Sequence, residues 1–223
     1  MLNETMIGIT KLEKALYLMI PPVLGAVLGW FLPVIADWML MIPIVPFKGP
    51  LEFVASFNSY WVSIIAAIIG IIAGLFFSQY IFNEILKVLI SDQNVRLLMK
   101  EKEEMIEKKE ISTVYLENKD LVILGVNGNE LYREQIEAKK PLVEKAFKHH
   151  GYQWAEEDPF KNKYQRWVAD HPHFPSHINA LLSARERALQ ENQQEEAKIL
   201  RKDLSKLGVV IQDDDKRQYV RMV

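Results

Sequence analysis

Five histidines and a scatter of arginines, lysines and tyrosines are the residues that could do chemistry. His171, His173 and His177 stand in an H-x-H-x3-H run, the donor type and spacing of a metal site. Pro172 and Pro175 interrupt the run and no carboxylate stands beside it as an outer partner, so the sequence assigns no metal and no cofactor. His149 and His150 close a predicted helix, where imidazolium suits the negative end of the helix dipole; a pH switch or ligand role is the alternative. With no cysteine, disulfides, thiolate zinc sites and thiol nucleophiles are excluded together, as fits a domain facing the cytosol. No Gly-rich phosphate loop, nucleophile elbow or close acid pair stands out, so no catalytic residue is assigned and the chain is not expected to be an enzyme. The remaining candidates are cations near the C-terminus: Arg185, Arg187, Lys198, Arg201, Lys202 and Lys206. Interspersed Glu186, Glu195 and Glu196 fit a solvated face, whereas a partner or RNA could be contacted by Arg185, Arg201, Lys202, Tyr219 and Arg221.

The elements that carry these residues follow from where charge is absent. Trp61 to Phe82 holds 22 residues without a charge, about 33 Å of helix against a hydrocarbon core of about 30 Å. Ala15 to Ala36 is a second run of the same length, between Lys14 and Asp37. A signal peptide is the rival reading for it, but no A-x-A site follows, and Trp30 and Trp38 suit an interfacial belt. Pro21, Pro22 and Pro33 predict a bent helix. A turn-rich connector with Pro43, Pro46, Gly49 and Pro50 separates the runs. Lys11 and Lys14 before the first, Lys87, Arg96 and Lys100 after the second, and Lys48 alone between them place both termini in the cytoplasm of a multi-pass cell-membrane protein. Each run has one G-x-x-x-G, Gly25/Gly29 and Gly70/Gly74. Counted from Tyr17 and Tyr80, the two notches sit at similar depth and could face each other, for packing within the chain or in a homodimer. Neither run contains an ionisable residue, so no proton relay or ion pathway is expected.

Of 27 basic and 29 acidic residues, 23 and 24 lie in the 133 residues after position 90. That near-zero balance argues against a broadly basic nucleic-acid surface. Strands are expected at 95–99, 112–116, 121–126 and 130–136, with turns at Asn118-Lys119 and, as type I′, at Asn127-Gly128. A helix follows, with Pro141 in its first turn, Leu142, Val143, Ala146 and Phe147 inward and Gly151 at its end. Antiparallel strands closed by one helix are the layout of a small pleckstrin-homology-like (PH-like) barrel over 91–155. Residues 156–175 form a linker with a short helix capped by Asp158, Phe160, Tyr164, Trp167 and Val168 sharing its face. In 176–223, Ser176 caps a helix to about Asn192 with Ile178, Leu181, Leu182 and Leu189 inward. Arg185 lies in that stripe with its head reaching water. A second helix from Gln194 buries Ala197, Leu200, Leu204 and Leu207 and stops at Gly208, completing an αα-hairpin; Val209 to Ile211 and Arg217 to Arg221 are extended.

The run Ile178, Leu181-Leu182, Arg185, Ala188, Ala197, Leu200-Arg201, Leu204, Gly208-Val209, Ile211 and Asp213 resembles the anticodon-binding domain that ends bacterial cysteinyl-tRNA synthetases. The catalytic half of those enzymes has no counterpart, which excludes aminoacylation. With the two apolar runs, KDLVILG at 119–125, HGYQW at 150–154 and Arg166-Trp167, the whole chain resembles the bacterial YqeB family. That resemblance implies a membrane-anchored protein with a PH-like domain, a synthetase-like helical tail and no established activity. The expected fold is therefore an α+β membrane protein: a transmembrane hairpin in 1–90 (spans about 15–36 and 61–82), a PH-like domain, and a helical-hairpin domain. The expected role is a non-enzymatic cytoplasmic interaction module with the lipid bilayer and an unidentified protein as partners; membrane-tethered RNA or tRNA binding is the alternative.

Overall fold

A computed structural model describes residues 4–41, 49, 60–100, 102–169 and 171–223. Pro43, Pro46, Lys48 and Pro50 of the expected connector lie outside the described residues. The chain divides into two compact units: a hairpin of long helices, and a unit that takes in the N-terminal strand and nearly everything after Ile85.

The hairpin consists of α1 (Lys11–Leu40) and α2 (Tyr60–Glu84), each extending a few residues beyond the uncharged run that predicted it. A capping box starts α1: Thr10 Oγ1 accepts from the Glu13 N–H at 3.2 Å and Glu13 Oε2 accepts from the Thr10 N–H at 2.8 Å. Pro21, Pro22 and Pro33 all lie inside a continuous helix. Both helices are long and apolar enough to cross a membrane. Most of their apolar side chains are exposed. Glycine sets their register. A Cβ on Gly25 would come within 2.0 Å of the Gly70 carbonyl oxygen, one on Gly29 within 2.2 Å of that of Ala66, and one on Gly74 within 2.5 Å of that of Pro21. Gly25 thus faces Gly70, so the two small-residue notches meet within the chain. The backbones approach where at least one of the two helices drops its side chain.

The other unit begins before the hairpin. Strand β1 (Thr5–Ile7), not anticipated from sequence, pairs antiparallel with β2 (Lys87–Ile90), so the hairpin is an insertion between two neighbouring strands. With β3 (Asn94–Met99) and β4 (Lys102–Glu107) they form a sheet in the order β1-β2-β3-β4. A second sheet runs in order β5 (Ile111–Glu117), β6 (Asp120–Gly125) and β7 (Glu130–Gln135). Helix α3 (Lys140–His149) packs on β1 and β5, burying Val143, Ala146 and Phe147 and leaving Leu142 exposed. Two antiparallel sheets with one closing helix give the expected PH-like layout. Residues 121–125 of β6 are all buried, so this strand is covered on both faces. The β6–β7 loop is not the two-residue type I′ turn. Gly128 is left-handed at φ +81° while Asn127 is not, and the Gly128 N–H bonds the Gly125 carbonyl at 2.8 Å, with a register shift in the ladder beside it.

After α3 the expected linker helix is absent. The Phe160 N–H turns back onto Asp158 Oδ1 at 2.7 Å, a three-residue 3-10 turn follows at Lys161–Lys163, and the chain extends into β8 (Gln165–Arg166). Asp158 has made a local turn instead of capping a helix. Helices α4 (Ser176–Gln190) and α5 (Gln194–Lys206) form the αα-hairpin, with Asn192 left-handed between them. Pro175, not Ser176, is the residue before the first turn, and no side chain caps it. Gly208 at φ +76° ends α5 as expected, whereas Leu207 is exposed. Strands β9 (Val209–Asp214) and β10 (Arg217–Met222) then complete a sheet ordered β8-β10-β9. Trp167, Phe174, Ile178, Leu182, Leu204, Val209, Ile211 and Val220 form its core with α4 and α5.

Candidate interaction surface

The cations expected to meet a partner are largely engaged inside the second unit. Arg185 is 3% exposed and its head does not reach water. Its guanidinium donates to both Asp213 oxygens at 2.8 and 2.7 Å, to Gln218 Oε1 at 2.8 Å and, from Nε, to the Ala197 carbonyl at 3.1 Å. Helix periodicity alone left this arginine in the apolar stripe; the partners that let it stay there arrive from β9 and β10. Arg201 donates to Asp213 Oδ2 at 2.9 Å and to the Ile211 carbonyl at 3.0 Å. Burial disfavours the ionised Asp213 carboxyl, but hydrogen bonds from Arg185 and the charges of Arg201 and Arg185 outweigh it and hold the group below the usual carboxylate range.

The tail sits on the PH-like sheets through polar contacts that sequence alone did not reveal. Gln212 donates to Glu117 at 2.8 Å and Ser205 to the Glu130 carbonyl at 2.6 Å, while Lys198 pairs with Glu134 at 3.1 Å and Lys202 with Glu104 at 3.4 Å. Beneath them Arg133 is almost wholly buried and binds Glu130 at 2.8 Å and Glu117 at 2.6 Å; burial opposes its charge, but those two carboxylates keep it protonated. Arg221 donates to the Gly128 carbonyl at 2.6 Å and lies over the Phe160 ring at 4.4 Å and the Tyr164 ring at 5.4 Å. Gly128 is required twice, for its left-handed backbone and because a Cβ there would stand 3.2 Å from the Phe160 ring. Burial, then the Asp158 hydrogen bond, raises the Tyr164 phenol. Of the five expected contact residues, Arg185, Arg201 and Arg221 are therefore spent within the protein, Lys202 is exposed but paired, and Tyr219 is half-buried beside Arg166 across the β8–β10 ladder. They do not converge on one open patch.

The histidines divide differently from expectation. His150 ends α3 as expected, but its ring is buried, with Asp92 Oδ1 2.6 Å from Nδ1 and Thr5 Oγ1 2.8 Å from Nε2. It ties β1 to the β2–β3 turn, and its hydrogen bond holds Asp92 below the usual carboxylate range. His171 Nδ1 accepts from the His173 N–H at 3.3 Å. Among the described residues no group of three His, Cys, Asp or Glu is placed to hold a metal ion.

These features define an α+β protein in which an apolar helical hairpin interrupts a PH-like domain that carries a docked helical tail. Residues 5–155 match the family described as YqeB-like bacterial PH domain, and residues 171–221 match the cysteinyl-tRNA ligase anticodon binding domain. The chain is also 38% identical over 220 residues, 98% of its own length and 92% of the relative's, to a Bacillus subtilis (strain 168) protein described as uncharacterized protein YqeB. It belongs to the YqeB family. No solved structure matches it.

Proposed function

We propose that the chain is a non-enzymatic interaction module anchored in the cell membrane by α1 and α2, with both termini in the cytoplasm. The observation that carries this reading is the pairing of β1 with β2 across the hairpin. Strands that must pair lie on one side of a bilayer, which two spans permit and one span forbids. The basic residues Lys11, Lys14, Lys87, Arg96 and Lys100 support a cytoplasmic placement of that side. A PH-like domain and tail built of polar-faced elements then offer surface to a protein partner beside the lipid. Cross-linking in intact membranes followed by recovery of the full chain tests this. Recovery of a discrete protein species with the membrane fraction supports it; a chain that stays in the supernatant without detergent overturns the anchoring.

The second reading, RNA binding at the membrane, is favoured by the match of residues 171–221 to an anticodon binding domain. It has the weaker support, since Arg185, Arg201 and Arg221 already have partners within the chain. Filter retention of RNA by the detergent-solubilised chain, measured at low and high salt, separates the readings; RNA held through phosphates is released as salt rises.

A further inference from the structure

Residues 153–160 do more than connect the PH-like domain to the tail. One edge of β5 bonds to β6; at the other, the Val114 N–H donates to the Gln153 carbonyl and the Ala155 N–H to the Val114 carbonyl, both at 2.9 Å. Trp154 thereby forms a single parallel bridge to Val114, an added strand of the shortest kind. The segment then turns at Asp158 and lays Phe160, with Ala155, on a buried cluster of Tyr115, Val122 and Leu124. Arg221 closes over the ring at 4.4 Å. Main-chain bonds to a sheet edge with an adjacent side-chain pocket are the two parts of recognition by strand addition. The fit is incomplete: the Tyr115 hydroxyl is buried and has no hydrogen-bond partner among the described residues.

We propose that the outer edge of β5 and the pocket of Tyr115, Val122 and Leu124 form a strand-addition site for an extended peptide bearing an aromatic residue, occupied in cis by residues 153–160 as a displaceable strap. The proposal rests on the reading of the chain as an interaction module and names its site and partner class. The strap competes with an external peptide, lowering its apparent affinity by the fraction of time the site is open.

The test uses the full chain in detergent and a labelled synthetic peptide of residues 151–162, followed by fluorescence polarisation. Phe160→Ala empties the pocket, and Ala155→Pro removes the N–H that bonds Val114. Both variants are expected to bind the peptide at least about tenfold more tightly than the unaltered chain, and neither to bind a peptide whose phenylalanine is replaced by alanine. A variant that keeps the parent circular-dichroism spectrum yet leaves the peptide free overturns the proposal. So does loss of the fold in both variants, which would make the strap a fixed part of the core. Failure of the membrane cross-linking experiment, by contrast, overturns the interaction-module reading without touching this peptide result.

Discussion

Asp213 is the residue on which the tail's buried charges converge: Arg185 grips it at both oxygens and Arg201 at one, while Gln218 bridges from Arg185 to the Leu182 carbonyl at 3.0 Å. Removing Arg185 takes one of two counter-charges from Asp213 and leaves the buried Gln218 Oε1 and the Ala197 carbonyl without their donor. Arg185→Ala is expected to destabilise the second unit by roughly 1 to 3 kcal/mol, read as a shift of the denaturation midpoint of the detergent-solubilised chain. Asp213 also sets an acid limit. Its carboxyl ionises at lower pH in the folded chain than in the unfolded one, so the unfolded state takes up protons first as pH falls. Stability from this group is fully present above the unfolded value of about 4 and is lost as pH drops through the lower folded value. Asp213→Asn should remove that part of the acid dependence below about pH 4, seen as a flatter plot of melting temperature against pH.

Elements obey a different logic, because here small residues and strand edges decide what can approach. In the hairpin, four-residue spacing carries Pro21, Gly25 and Gly29 along one helix against Gly74, Gly70 and Ala66 on the other. Continued by one more turn, that register sets Tyr17 opposite Ser78, whose hydroxyl bonds the Gly74 carbonyl at 3.0 Å. Since the chain has no cysteine of its own, Tyr17→Cys with Ser78→Cys should cross-link on oxidation in membranes, while Tyr17→Cys with Phe82→Cys, one turn out of register, should not. Strand β1 is held by its ladder to β2, by buried Ile7, by the His150 contact and by Glu4 on Arg96 at 2.9 Å. Starting the chain at residue 9 strips all four, opens the edge of β2 and exposes His150. A lower melting temperature and faster proteolysis after Lys87 are the expected readouts.

For the whole molecule, the boundary that the family match draws at residue 155 is not a boundary of stability. Tyr115, Val122 and Leu124 form a buried cluster on which Ala155 and, from beyond 155, Phe160 pack. A chain truncated after Ala155 should expose roughly 1.5 to 3 kcal/mol of apolar burial per side chain and should self-associate, seen by light scattering against the full chain in the same detergent. Much was legible beforehand. Uncharged runs of 22 residues pointed to apolar helices, the run at 121–126 located β6, and the 3.6-residue pattern located α3, α4 and α5, because local spacing is a property of the segment itself. The partners were not legible. Arg185 to Asp213, His150 to Thr5, Arg221 to Gly128 and Gly25 to Gly70 join residues far apart in the chain, and β1 was too short to show any period. The amino-acid order determined by itself which segments must leave water and in what form, since that depends on side chains a few positions apart. Only the tertiary structure decided that the tail's arginines turn inward and that the hairpin interrupts a sheet, because a buried charge or a free strand edge is stabilised by whichever distant group the fold brings to it.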